Sequence, residues 1–132
     1  MSKVIKIKKG LDIKLLGEAE AKVSAYNMQK FAVKPTDFIG VFPKLLVKEG
    51  DQVQAGTPLF YDKARESVKF ASPVSGRVTD IVRGQKRLLL EVRIEADGQN
   101  TFVDFGKGKT ADLNREQIIE KMLESGVWPF VR

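Results

Sequence analysis

Between residues 38 and 105 the apolar runs are short, and glycine or proline cuts them apart, as at Gly40, Pro43, Gly50, Gly56, Pro73, Gly76, Gly84 and Gly98. A long helix cannot survive that punctuation, because glycine raises the entropic cost of ordering and proline removes a backbone donor. Short curved strands joined by tight turns can. Phe38-Ile39-Gly40-Val41-Phe42 reads as one apolar run ended by Pro43, and Leu46 to Val53 as a strand unit turning at Gly50-Asp51. Pro58-Leu59-Phe60-Tyr61 leads to a polar tip at Lys63 to Ser67, and Val68 to Ala71 returns from it. Val78 to Val82 forms the next strand. The clearest alternation is at 88–95, with Leu88, Leu90, Val92 and Ile94 on one face and Leu89, Glu91, Arg93 and Glu95 on the other. Asp97-Gly98 is a hairpin signal, and Thr101 to Phe105 is predicted to pair with the strand before it.

Outside that region Val4, Ile5 and Ile7 among lysines suggest a short N-terminal strand, while residues 15–35 fit neither period and read as loop or irregular strand. One helix is predicted near the C-terminus. Asn114 caps it with Gln117 as reciprocal partner, and Ile118, Ile119, Met122 and Leu123 form its apolar stripe. Gly126 suits a left-handed C-terminal cap, and Pro129 prevents resumption. The fold class is therefore mainly β with a C-terminal α-helix. Leu46 to Asp51 and Ile81 to Gln85 form a faint repeat, apolar residues running through a charge into a glycine turn. That repeat implies a pseudo-two-fold sandwich. The predicted organisation is an N-terminal strand and irregular segment at 1–36, the sandwich at 37–105, and a linker, helix and aromatic tail at 106–132.

The chain of 132 residues holds no cysteine and no histidine. Cysteine-ligated zinc, iron–sulfur clusters, thiol nucleophiles and histidine general bases are excluded within it. The net charge of +6 is unevenly spread: 1–34 and 63–93 are basic, 35–62 and 94–132 mildly acidic. Such basic regions could face nucleic acid, an anionic membrane or an acidic partner, although an ordinary solvated surface accounts for a charge of this size. No basic segment interleaves aromatics, which disfavours nucleic acid. No apolar stretch is long enough to span a bilayer, and the lysine-rich N-terminus lacks the apolar run of a secretory signal.

Few motifs carry chemistry. Gly106-Lys107-Gly108-Lys109-Thr110 imitates the end of a phosphate-binding loop, but Val103 stands where the pattern needs its earlier glycine. The reading is a basic loop leading into the helix. The carboxylate pairs Glu49/Asp51, Asp62/Glu66 and Glu120/Glu124 fall in turns or on the helix surface, with no apolar pocket to perturb them. No catalytic residue and no metal site is predicted. The tail Val127-Trp128-Pro129-Phe130-Val131 either folds back on the core or belongs to an interface or binding pocket, and Trp128 and Phe130 are the candidates for stacking on a quinone ring.

Val47-Lys48-Glu49-Gly50-Asp51-Gln52-Val53-Gln54-Ala55-Gly56-Thr57-Pro58-Leu59, followed by Ala71-Ser72-Pro73-Val74-Ser75-Gly76-Arg77-Val78, resembles the biotinyl and lipoyl carrier domains, the barrel-sandwich hybrid. In lipoyl domains the acylated lysine sits in an Asp-Lys-Ala hairpin tip, which matches Asp62-Lys63-Ala64. By count along the chain Lys63 falls on the ascending side and the apex nearer Arg65-Glu66, so Lys63 reads as an ordinary exposed lysine. The whole chain is similar to the N-terminal part of the NqrA subunit of the bacterial Na+-translocating NADH:quinone reductase. The segments that carry this are Ile5 to Asp12, Lys48 to Asp51, Ala71 to Gly76, Arg83-Gly84-Gln85-Lys86-Arg87, and Glu120 to Gly126 with Val127-Trp128-Pro129. The RnfC subunit of the Rnf complex has a similar amino-terminal region, followed by cysteine-rich cluster motifs that this sequence lacks.

The resemblance implies a peripheral subunit on the cytoplasmic face of the bacterial inner membrane, partnered by other subunits of a complex that oxidises NADH, reduces quinone and exports sodium. It implies a scaffold and assembly role, its basic regions meeting partner subunits or lipid head groups, with quinone binding as a further possibility. NADH, quinone and flavins belong to the complex, and no cofactor is assigned to this stretch. Family chains continue well beyond the position of Arg132, so the sequence reads as the N-terminal piece of a longer one. The alternatives are a lipoyl- or biotinyl-type carrier and an RnfC-type electron-transport protein.

Overall fold

Strand-forming residues separated by glycine turns build two antiparallel sheets that share one core. The computed structural model describes Gly10 and residues 16–131; the predicted strand at Val4 to Ile7 lies outside them. The strands are β1 (Lys30–Val33), β2 (Pro43–Leu45), β3 (Gln52–Val53), β4 (Pro58–Asp62), β5 (Arg65–Ala71), β6 (Gly76–Arg83) and β7 (Leu89–Ala96). One sheet has the order β1-β7-β6-β3, the other β2-β4-β5. Val53, Leu59, Phe60, Phe70, Val78, Val92 and Ile94 fill the space between them. Phe60 and Phe70 stack at 4.6 Å between ring centroids, and burial of each such side chain contributes about 1.5–3 kcal/mol.

The barrel-sandwich class and the position of the helix match the sequence reading. Helix α1 (Arg115–Glu124) opens with the predicted capping box, Asn114 Oδ1 accepting from the Gln117 amide at 2.9 Å and Gln117 Oε1 from the Asn114 amide at 3.0 Å. It ends at Gly126, whose φ of +73° is the left-handed conformation expected there. Lys121 Nζ donates to the Phe105 carbonyl at 3.1 Å and fastens the helix to the chain before it.

Several local expectations are corrected. Phe38 to Phe42 is no strand. Pro35–Asp37 is a short 3-10 turn, and Gly40 at φ +75° then swings the chain, leaving Ile39 and Phe42 exposed. Within residues 15–35 an edge strand, β1, pairs with β7 in the register Phe31↔Ile94. The alternation at 88–95 breaks at its start: Leu88 is exposed and Leu89 buried. A register shift between Val82 and Arg83 explains this, because Val82 faces Glu91 and Arg83 faces Leu89, so Leu90 is bulged and the faces swap. Residues 101–105 form no hairpin strand. The Asp97 carboxylate accepts from Ser75 Oγ at 2.7 Å and from the Gln99 amide at 2.9 Å, and Ser75 Oγ accepts from the Thr101 amide. Asn100 then takes φ +53°, and the chain turns away to bridge Phe102 with Ala55.

The tightest constraint is Gly76, where β6 pairs with both β3 and β7. A Cβ there would collide with the Glu95 carbonyl oxygen and lie 2.9 Å from Ala96 Cα, both backbone. Gly98, also at positive φ, faces open space. Gly76→Ala is expected to cost about 3 kcal/mol or more, against about 1 kcal/mol for Gly98→Ala, where only the left-handed backbone is strained. Urea denaturation of the two variants measures the difference.

Candidate functional site

A cleft of about 570 Å3 opens where the hairpin β4–β5, the segment after β1 and the C-terminal tail meet. Its lining is apolar and aromatic, from Phe38, Ile39, Val41, Val68, Phe70, Trp128 and Pro129, with Asp37, Asp62 and Arg65 as the charged groups. The tail reaches it because Gly126 lets the chain turn directly against Ala71, so the 3-10 turn Trp128–Phe130 lies along β5. Of the two readings of the tail, the fold-back is what the structure shows. Trp128 is partly buried and lines the cleft. Phe130 is exposed, its ring edge-to-face with Phe38 at 5.4 Å, and Phe38 in turn meets Phe70 at 4.7 Å. An aromatic ladder therefore connects the surface to the core.

Asp62 is inconspicuous in the sequence, where it reads as one of a pair of turn carboxylates. It is buried, and its Oδ1 accepts from the Phe42 amide and the Ala64 amide, each at 3.1 Å. The Lys63 amide donates to the Phe42 carbonyl at 2.7 Å. Asp62 thereby closes the hairpin turn and pins the preceding loop to it. The sequence signal available is its place beside the tip; nothing in the spacing shows burial.

The placement of Lys63 is also corrected. Asp62 pairs with Arg65, so the turn is Lys63-Ala64 and Lys63 stands at the apex, exposed. A count along the chain presumes an even ladder. Instead Tyr61 faces Lys69 and Asp62 faces Arg65, so Glu66, Ser67 and Val68 are absorbed in a wide bulge on the returning strand.

The outer face of the four-stranded sheet carries ion pairs rather than a site. Arg93 contacts Glu91 at 2.8 Å and Asp80 at 3.3 Å, and Lys34 contacts Glu91 at 3.7 Å. The Arg93 hydrogen bond holds the Glu91 carboxyl below its usual range, and Glu91 holds Arg93 above its own. In such exposed positions these pairs add little stability. Among the described residues no group of three or more carboxylates could hold a metal ion, and no helix is long and apolar enough to cross a membrane. The 106–109 loop passes through a 3-10 turn at Thr110–Asp112 before α1 begins, so α1's N-terminal amides lie away from it in sequence.

The family described as the NqrA N-terminal barrel-sandwich hybrid domain matches residues 5–97. The chain belongs to that family. Curated relatives, all NqrA subunits of the Na(+)-translocating NADH-quinone reductase, extend the likeness over nearly the full chain. That of Vibrio vulnificus is 39% identical over 132 residues, covering 98% of this chain and 30% of the relative. The Marinomonas protein is 36% identical over 130 residues, and that of Teredinibacter turnerae 34% over 132. The chain thus spans about 30% of the length of the relatives it matches. Within the NqrA-type domain the hairpin β4–β5 and its apex fall inside the matched residues, whereas α1 and the aromatic tail lie beyond them. Both still lie within the stretch shared with the Vibrio vulnificus protein.

Because Asp62 satisfies two backbone donors from inside, Asp62→Ala is expected to destabilise by about 1–3 kcal/mol. Asp62→Asn, which retains an acceptor oxygen, is expected to lose less. Thermal or urea unfolding of the two variants checks this.

Proposed function

We propose that this chain is a non-catalytic scaffold and docking module of the peripheral NqrA subunit of a sodium-translocating NADH:quinone reductase. The observation that carries this reading is the apolar rim of the cleft. Ile39, Phe42 and Phe130 are exposed around it, held outward by the Gly40 swing and by the Asp62 clamp on Phe42. Large apolar side chains fixed outward on a rigid frame suit a partner surface. The names of the relatives supply the complex in which that partner resides. In this reading the unit 37–105 is the docking core, the segments 1–36 and 106–132 dress it, and electron transfer belongs to other subunits. The module would sit on the cytoplasmic face of the inner membrane. Membranes from the native host, extracted with mild detergent, should yield the tagged protein together with NADH:quinone reductase activity, and Ile39→Glu with Phe42→Glu should reduce that recovery. Recovery of the wild-type protein alone would overturn the reading. Lys63 at the hairpin apex also meets the geometric condition for a carried acyl group, so an added lipoyl or biotinyl mass on that same material would replace it.

The cleft favours a second role, contact with a quinone ring through Trp128 and Phe130. Its walls are aromatic and its volume of about 570 Å3 suits a small planar ligand. Trp128 is the chain's only tryptophan, so its fluorescence reports the site directly. Titration with a short-chain ubiquinone should give saturable quenching that Phe38→Ala weakens. Quenching that rises linearly without saturation would remove the proposal.

A further inference from the structure

We infer that the end of the sandwich formed by Leu46, Lys48, Arg83, Lys86, Arg87 and Leu88 docks on the surface of an anionic phospholipid bilayer. The inference deepens the proposed role in a membrane-bound reductase and rests on it for its setting. Leu46, Lys48 and Arg83 line one open groove of about 750 Å3. Arg83 Nη1 donates to the Arg87 carbonyl at 3.2 Å, and the Gly84 amide donates to the Leu88 carbonyl, which joins the 84–88 turn to that groove. Leu46 and Leu88 remain 51% and 54% exposed. Each leucine therefore projects beside long cationic side chains.

The local charges are engaged unequally. Arg93, in the same basic stretch, is consumed by Glu91 and Asp80. Among the described residues Lys48, Arg83, Lys86 and Arg87 have no carboxylate at ion-pair distance. Two carboxylates lie nearby, and both face backbone: Glu49 Oε1 accepts from the Ile81 amide at 3.0 Å and Asp51 Oδ2 from the Lys48 amide at 2.8 Å. Lys86 and Arg87 are held at φ +52° and +62°. Consecutive left-handed residues are strained, and glycine would be relaxed there. Two cations occupy those positions instead.

The partner's chemistry follows from the layout. A protein interface presents a contiguous apolar core from which lysine is depleted. Here single leucines stand apart among lysines and arginines, an arrangement matched to a fluid surface with anionic head groups above acyl chains. An acidic protein is the competing occupant, and the experiment separates the two.

The chain is co-sedimented with vesicles of phosphatidylglycerol and phosphatidylcholine at about 1:3, and with pure phosphatidylcholine. Binding is expected on the first and not the second, with release near about 0.5 M salt. Lys86→Gly with Arg87→Gly removes two charges and relieves the backbone, so vesicle affinity should fall roughly tenfold or more while the urea midpoint does not fall. Leu88→Ser should also weaken vesicle binding. Equal binding to both vesicles, no binding to either, or an unchanged affinity in the double glycine variant would each overturn the inference. Should vesicle binding be absent while the same substitutions release the chain from a soluble acidic protein, the surface belongs to a protein contact. These readouts use the isolated chain, so they fail independently of the recovery experiment that tests the proposed membership of the reductase.

Discussion

The sandwich depends on a close backbone approach at Gly76. There β6 is gripped on one side by the two residues of β3 and on the other by the end of β7, with the Glu95 carbonyl occupying the place a side chain would take. That approach lets one strand serve the short Gly50 arm and the long β7 edge together. The Gly50 amide donates to the Val78 carbonyl, and the Val78 amide to the Asp51 carbonyl, which folds the arm over the end of the core. Val78 is thereby carried inward against Val92 and Ile94. Without that approach β3 would have no partner, since two residues cannot hold a strand alone.

What surrounds the sandwich is arranged by polar clamps rather than by burial. Asp62 ties the Phe42 loop to the hairpin tip, Ser75 and Asp97 turn the chain after β7, and Lys121 holds α1 to Phe105. Each clamp fixes a loop whose apolar side chains then point outward. Exposed Phe42 and Ile39 are a consequence of the clamps, as exposed Leu88 is a consequence of the bulge at Leu90. A loop held by hydrogen bonds can display apolar groups without collapsing onto them, because the ordering has a separate source.

The glycine and proline positions make the class of fold legible from the chain alone, and so does the helix, whose cap, stripe and stop are local signals. Trp128 is legible as unusual because it lies past a helix stop. The cleft is not, because it is assembled from Phe38, Asp62, Phe70 and Trp128, residues that no local pattern connects. The misplaced features share one cause. The expectations for Lys63, the 88–95 faces and the 101–105 strand all rest on an even two-residue period, and each adjoins a bulge or a side-chain-capped turn that shifts the count. Irregularities of that kind are set by hydrogen bonds to distant strands, which period counting cannot register.

The two kinds of turn in this chain differ in a way that bears on function. Gly50, Gly56 and Gly126 take positive φ without side-chain strain and serve the frame. Lys86 and Arg87 take it with full side chains, at the far end of the sheet from the Gly76 junction, where β6 and β7 diverge. Strain retained at an exposed turn is not explained by packing, since neither residue is buried. It is consistent with a turn whose sequence answers to its charge and to what that charge meets. The frame and the display are thus separable: glycine closes the cage, and the cations and isolated leucines at its open end are free to serve contact.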